Sequence, residues 1–509
     1  MRSRGGWRSR WWVAWAWLII LTPHGHAGRP TADHVVIVVC DGLRPDSITE
    51  TDMPTLSALA REGVRFTRHV AEPLSSTVAN TAALATGSRA GRNGILANRE
   101  YRPALDPLRA LTTTNEVIWA SCRVPTIAEA LNRHDRKTVV VGARANAQLV
   151  CPGAIGRVVL EGNRGRPESL VKALIQRLGV CPASYSERDH WAARALVGPL
   201  WDEELPALSV LWLNQPDAVQ HEHGVGTPPT REVLRRTDEL IGMVWTELKA
   251  RGVWERTVLM VMSDHGFSTI SRSVDLVTEL ERAGFRAQRE FQEPPQVGDV
   301  LVVHHGTAVL FYVVGRDAGV VQRLVTFLQQ QDYTGVVLAR AGHEGAFTLA
   351  QLGLETAEPP DVVLSLRWDE QAGAGAVAGR SVAARGTRGV GQGAHGGLSR
   401  FDLAATLVMA GRGVRRGWNN PLPSSTADLA PTALHILGVP VPNEWEGRVL
   451  SEALVDEQPA GGPVEVQTLE TAAIHGPVRW TQYVQVVRYS GRLYVLEGNG
   501  AATSLEATR

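Results

Sequence analysis

The stretch VVIVVCDG, Val35 to Gly42, decides the fold: six consecutive apolar side chains run into an aspartate and a glycine. A strand that buries one face alternates apolar and polar residues, whereas one that is apolar at every position is covered on both faces, as in the middle of a parallel sheet. Two further runs have the same form. Leu208 to Leu213 leads into Asp217, and Val258 to Met262 passes through Ser263 into Asp264-His265-Gly266. Open sheets of this kind bind ligands beyond the carboxyl ends of their strands. The expected architecture is α/β, a central mostly parallel sheet flanked by helices on both faces, with acids and histidines from three strands converging at one edge.

Working outward, Pro54 to Glu62 reads as a helix with a proline in its first turn and Gly63 at its end. Val78 to Thr86 reads as a second helix entered through Ser75, Ser76 and Thr77, Thr126 to Leu131 as a third, and Thr138 to Gly142 as a strand. From about Ser273 to Val390 the texture changes to shorter apolar runs, Pro294-Pro295, Pro359-Pro360 and a Gly/Ala-rich stretch from Ala372 to Gly391, which predicts a cap inserted over the sheet. The main pattern returns with Phe401 to Ala410 and a helix over Ala427 to Leu437, and the tail from Val464 predicts a β-hairpin. The expected division is a leader at 1–27, a catalytic unit at 28–455 with a cap at about 273–390, and a β-rich extension at 456–509.

The leader has the layout of a secretory signal: Arg2, Arg4, Arg8 and Arg10, an apolar stretch from Trp11 to Leu21, then Gly25-His26-Ala27. That apolar stretch is short of the about 20 residues that span a bilayer. A secreted or periplasmic protein is expected, with membrane anchoring as the alternative if the leader is not cleaved, and no stable membrane span. Export permits disulfides. Cys40 lies inside the first strand and reads as a buried side chain, while pairing among Cys122, Cys151 and Cys181 is left open, with Cys151 to Cys181 one option. The 52 basic and 52 acidic residues cancel, which removes the electrostatic ground for a nucleic acid polymer as partner.

The chemistry lies in Asp41, Asp217, His221, Asp264, His265 and His395. Carboxylates and imidazoles without a cysteine cluster suit zinc and argue against an iron–sulfur centre. Asp217 and His221, four apart, face the same way on one helical turn. His395 sits in Gly393-Ala394-His395-Gly396-Gly397, read as a flexible frame with little bulk around it. With Thr77 the set suits two ions better than one. A threonine hydroxyl becomes a nucleophile when a metal or base lowers its pKa, and a helix start offers backbone N–H groups to an anion. Two ions about 3.5–4 Å apart stabilise both oxygens of an in-line displacement. Asn98 is placed to donate a side-chain N–H to a non-bridging oxygen.

Asp41-Gly42-Leu43-Arg44-Pro45, Met53-Pro54-Thr55-Leu56, Ser76-Thr77-Val78-Ala79-Asn80 and Gly94-Ile95-Leu96-Ala97-Asn98 resemble the type I phosphodiesterase/nucleotide pyrophosphatase branch of the alkaline phosphatase superfamily. Pro216-Asp217 with His221 and Gly224, Ser263-Asp264-His265-Gly266, Ala394-His395-Gly396 and Asp428 to Thr432 follow in the superfamily's order. The resemblance implies an alkaline phosphatase-like fold and two zinc ions, one held by Asp217, His221 and His395, the other by Asp41, Thr77, Asp264 and His265. It also implies a phosphothreonine at Thr77 and a small phosphate ester as substrate.

The chain departs from its better-known relatives in having Ala79 before Asn80 and no Trp-Pro-Gly segment. The Lys and Arg pair that some threonine-dependent phosphomonoesterases use has no counterpart; the nearest arginines, Arg99 and Arg144, read as structural or surface residues. Phosphodiesters or nucleotide pyrophosphates are the expected substrates, with phosphomonoester or phosphonate hydrolysis as alternatives. A sulfatase needs Cys/Ser-x-Pro-x-Arg, which Thr77 to Thr81 does not supply. A non-enzymatic exported metal-binding protein is the remaining class, and it predicts missing ligands.

Overall fold

The computed structural model describes residues 30–505 apart from 114–118, 121, 154, 387 and 460. The leader at 1–27 lies outside the described residues.

A nine-stranded sheet forms the centre. Its order is Trp418–Asn420, Val64–Phe66, Leu407–Gly411, Thr257–Met262, His34–Cys40, Leu208–Leu213, Thr138–Gly142, Arg157–Leu160 and Arg164–Arg166. Thr257–Met262, His34–Cys40, Leu208–Leu213, Thr138–Gly142 and Arg157–Leu160 run parallel to their neighbours within this group. Leu407–Gly411 joins it antiparallel. The fully apolar runs are the buried central strands that their composition predicts. Val35, Ile37 and Val39 pack into one hydrophobic layer and Val36, Val38 and Cys40 into the other. Register does the rest: Val39 lies opposite Met262 and Cys40 opposite Leu213, so three parallel strands end together. The Asp217 N–H then donates to Asp41 O at 2.9 Å, stitching two of the exit loops to each other.

The helices follow from their own signals. Pro54–Glu62 has its proline in the first turn and stops at Gly63. Ile127–Asn132 opens with a capping box between Thr126 and Glu129. The helix after Ser76 runs Thr77–Thr86 and is buried along its whole length, which its small side chains permit.

Between the third central strand and Leu407–Gly411, and again at the chain end, residues build separate sheets. Val300–His305, Ala308–Val313, Val362–Leu366 and Thr334–Ala339 are the main strands of a six-stranded sheet. The Gly/Ala-rich stretch is not a loose connection: Ala378–Ala384 pairs with both Ser268–Val274 and Trp368–Ala372. The chain end forms a three-stranded antiparallel sheet, Glu465–His475, Val478–Tyr489 and Arg492–Ser504, that buries Trp480, Val484 and Val486 against the six-stranded one.

Cys151 and Cys181 are not bridged; all four cysteines are free, and the Cys151 thiol donates to Ile155 O at 3.2 Å. Asp238, within the helix Pro228–Ala250, accepts from Thr55 N and Leu56 N at 2.8 Å each, and so caps the Pro54–Glu62 helix from a different helix. Asp238→Ala leaves these two N–H groups without an acceptor and should cost about 2 kcal/mol of stability. Urea unfolding measures this, and Asp238→Asn, which keeps one acceptor oxygen, should lose less.

Candidate metal centre

Each parallel strand delivers its candidate ligand through a turn that small residues and close contacts shape. Gly42 has φ +71°, and a Cβ there would meet the Phe267 ring at 2.9 Å. Its N–H donates to Asp264 Oδ1 at 3.1 Å, so the turn after one strand holds the acid after the next. Asp217 opens the helix Asp217–His223, which puts Asp217 and His221 on one side. The glycines around His395 serve close packing, not flexibility. A Cβ on Gly393 would lie 2.4 Å from Gln220 O, and one on Gly396 2.2 Å from His305 O.

The acids and histidines named from the sequence form two groups: Asp217 with His221 and His395, and Asp41 with Asp264 and His265. Within each, one candidate ligand atom per residue lies within 4.8 Å of the others. The two groups abut, because the His265 and His395 rings stack with centroids 3.6 Å apart. Thr77 joins them, its Oγ1 3.2 Å from His265 Nε2. Asn98 lies beside it, but its Oδ1 accepts from Val78 N at 2.9 Å, leaving the amide N–H group as the one that can face a ligand. Ser76, not Thr77, is the N-cap, since its side chain accepts from Ala79 N and its backbone is extended. Two of the first helical N–H groups are therefore already spent on Asn98 and Ser76, which corrects the expectation that they are free for an anion.

The hydrogen bonds show what the cluster lacks. Nδ1 of His221 lies 2.9 Å from Gly393 O, that of His265 3.0 Å from Gly266 O, and that of His395 2.7 Å from Ser75 O. A carbonyl accepts only, so each Nδ1 carries the proton and each Nε2 of a neutral ring presents a lone pair. Those lone pairs face carboxylate oxygens. His265 Nε2 is 3.4 Å from Asp41 Oδ1 and 3.3 Å from Asp264 Oδ2; Asp217 Oδ1 is 3.2 Å from His221 Nε2 and 3.5 Å from His395 Nε2. These same oxygens, Asp41 Oδ1, Asp217 Oδ1 and Asp264 Oδ2, are buried without a hydrogen-bond donor. Acceptors gathered around acceptors fit divalent cations, and carbonyl partners behind each imidazole fix the tautomer that a metal requires.

Electrostatics divide the three acids: against burial, His221 and Arg144 hold Asp217 well below the usual carboxylate range, while the other two go up. Burial pushes Asp41 well above the usual carboxylate range, with Asp264 and Asp217 adding to it, and raises Asp264 to about 7. Burial lowers His265 to about 4 and His395 to about 3.

Several residues that hold this arrangement have no motif around them. Arg144 reaches Asp41 Oδ2 at 3.2 Å and Asp217 Oδ2 at 3.1 Å, which corrects its reading as a structural or surface arginine. Arg99 does stay at the surface, donating to Ala110 O. Trp212 Nε1 donates to Asp41 Oδ2 at 3.1 Å. Asp402 is buried and gathers Ser268 Oγ, Thr307 Oγ1 and Gly397 N, while its carbonyl accepts from Gly266 N, so one acid ties the His265 and His395 loops together. Asp189 accepts from Asn214 N at 2.7 Å and Gln215 N at 3.0 Å, which fixes the loop before Asp217.

A family model described as type I phosphodiesterase / nucleotide pyrophosphatase matches residues 35–337. Among curated proteins, the chain is 26% identical over 264 residues to ectonucleotide pyrophosphatase/phosphodiesterase family member 7 of Homo sapiens, covering 49% of this chain and 53% of that one. It is 23% identical over 277 residues to a bis(5'-adenosyl)-triphosphatase of Mus musculus, covering 53% and 55%. The chain thus spans about half the length of the curated relatives it matches. A solved structure of murine ectonucleotide pyrophosphatase/phosphodiesterase 5, an inactive threonine-to-alanine form in complex with AMP, matches with TM-score 0.60 at 16% identity, covering 83% of this chain and 100% of that one. That likeness shows the fold, a mixed sheet with flanking helices of the alkaline phosphatase-like kind.

The raised Asp264 sets the sign of a pH effect. Its folded value, about 7, lies above the roughly 4 of an unfolded aspartate. Without ions the stability it contributes is complete below that unfolded value and is lost as pH rises through about 7. Chelated protein should therefore melt higher at pH 5 than at pH 8. Added zinc should raise the melting temperature more at pH 8, since binding must release the proton; calorimetry at the two pH values, with and without chelator, checks both.

Proposed function

From the premise that this chain belongs to the type I phosphodiesterase/nucleotide pyrophosphatase family, we propose that it is a metal-dependent hydrolase of phosphoric esters, with Thr77 as its nucleophile. The observation that carries this reading is the Thr77 hydroxyl, 3.2 Å from His265 Nε2, at the rim of buried carboxylates that lack donors. Asp217, His221 and His395 would hold one zinc ion, and Asp41, Asp264, His265 and Thr77 the second. When bound, such ions lower the pKa of a hydroxyl and neutralise phosphoryl charge.

The chain's own residues supply position. Thr77 is the first residue of a fully buried helix, so its Oγ1 is fixed relative to the sheet edge. Attack of Oγ1 on phosphorus forms the Thr77–phosphate bond as the bond to the leaving ester oxygen breaks. Water then cleaves the phosphothreonine and returns the hydroxyl. Two in-line displacements give net retention at phosphorus. Asn98, anchored through its Oδ1, offers its amide N–H to a non-bridging oxygen as charge develops.

For the substrate we favour phosphodiesters or nucleotide pyrophosphates. A relative named as a bis(5'-adenosyl)-triphosphatase and a structural neighbour held with AMP support a nucleotide ester, and the inactive threonine-to-alanine form of that neighbour supports a threonine nucleophile. We place the enzyme outside the cytoplasm, a reading supported by the arginine-rich, apolar leader and by relatives named as ectonucleotide enzymes. Among the described residues no helix is long and apolar enough to cross a membrane.

Turnover of bis-p-nitrophenyl phosphate beside p-nitrophenyl phosphate tests the assignment. Thr77→Ala should lower kcat on the preferred ester by roughly 10³-fold or more, with bound zinc retained through the remaining ligands. Asn98→Ala should cost about 10²-fold. Chelation should abolish both activities and zinc restore them. Undiminished turnover in Thr77→Ala would remove the nucleophile, and activity indifferent to chelator would remove the metal dependence.

A further inference from the structure

We propose that Arg144 is an internal counter-cation shared by the two half-sites, which keeps them assembled before ions arrive and lowers their affinity for those ions. The inference rests on the two-ion reading above. One guanidinium nitrogen, Nη1, lies 3.2 Å from Asp41 Oδ2 and 3.1 Å from Asp217 Oδ2, so a single charge touches one acid from each group. The two carboxylates use their oxygens in the same way. Oδ2 of each turns outward to Arg144, and Oδ1 of each turns inward to imidazole Nε2 atoms. Both inner oxygens are buried without a hydrogen-bond donor, and on the outer side Asp41 Oδ2 is the one that also accepts from Trp212 Nε1.

The arginine is built into place. It directly follows the strand Thr138–Gly142 and Ala143, and the turn behind it, Ala145–Val150, packs against the nucleophile's helix. There Leu149 meets Val78, and Asn146 donates to Thr81 Oγ1 at 3.1 Å. Both aspartates are fully buried, whereas the Arg144 side chain is 29% exposed, so the guanidinium closes the acid pair toward solvent. Asp217, Asp41 and Asp264 together hold its pKa above the ordinary arginine value against the effect of burial.

Two opposing consequences follow from removing it, and magnitude decides between them. Losing a partner that orients a ligand weakens metal binding by roughly 10–100-fold. Losing a unit positive charge just behind two ligand carboxylates removes its repulsion of an incoming dication, which at roughly 6 Å and an effective dielectric near 20 strengthens binding by roughly 10³-fold or more after a discount for the exposed edge. The charge effect wins, and its sign is opposite to that of a merely structural residue.

The test uses the whole chain, stripped with chelator and titrated with zinc against a chromogenic chelator at pH 8.5. Wild type is compared with R144M, R144Q and R144K, and the melting temperature of each ion-free form is recorded. R144M and R144Q should melt lower than wild type when ion-free yet bind zinc at least tenfold more tightly, while R144K stays within a few-fold of wild type. R144Q guards against a folding failure in R144M. Unchanged or weaker zinc binding in both neutral variants overturns the proposal while the two-ion reading stands. If wild type itself binds no zinc, both fall.

Discussion

Everything in this molecule answers to one constraint: carboxylates and imidazole lone pairs are buried together at a single sheet edge, facing one another, without hydrogen-bond donors between them. Such a cluster repels itself. Protons, an arginine or divalent cations can balance it, and each leaves a mark. Burial raises Asp41 and Asp264 toward the protonated form, Arg144 spans Asp41 and Asp217, and each imidazole is turned by a backbone carbonyl so that its lone pair points inward. The folding free energy of the surrounding layers holds the acceptors where a cation is the fitting complement.

The scaffold meets this cost with rigidity. Three parallel strands in register bring Asp41, Asp217 and Asp264 to one level, and the hydrophobic layers on both faces leave those strands no freedom to slip. Glycines then let backbones touch where a side chain would not fit, as at Gly306, whose Cβ would lie 1.9 Å from His395 O. That contact presses the six-stranded sheet against the His395 loop, so the later half of the chain positions this imidazole as well as adding bulk. Asp402 and Ser75 complete the frame through hydrogen bonds that act behind the imidazoles.

Much of this was legible residue by residue. The unbroken apolar runs identify central strands because a strand buried on both faces has no polar side, and the acids that follow them then lie at the carboxyl edge by topology alone. Asp217 and His221 share a face through helical periodicity. Other features were hidden. Ser76 rather than Thr77 caps the Thr77–Thr86 helix because backbone dihedrals choose between neighbouring hydroxyl residues. The frame around His395 looked flexible in composition and is tightly packed in three dimensions. Asp238 caps a helix some 180 positions away, a pairing with no local signal.

The sequence by itself determined the parallel core, the places where its strands end and the identities of the acids, histidines and threonine gathered there, because periodicity and strand termination are local properties. Tertiary structure alone decided which oxygen of each carboxylate turns inward and which cation stands between them. Arg144 shows the reason. Its charge is an ordinary feature of the chain until folding places it about 3 Å from two acids brought in by two other strands, and distance, which sets the energy of a charge, is not written in sequence order.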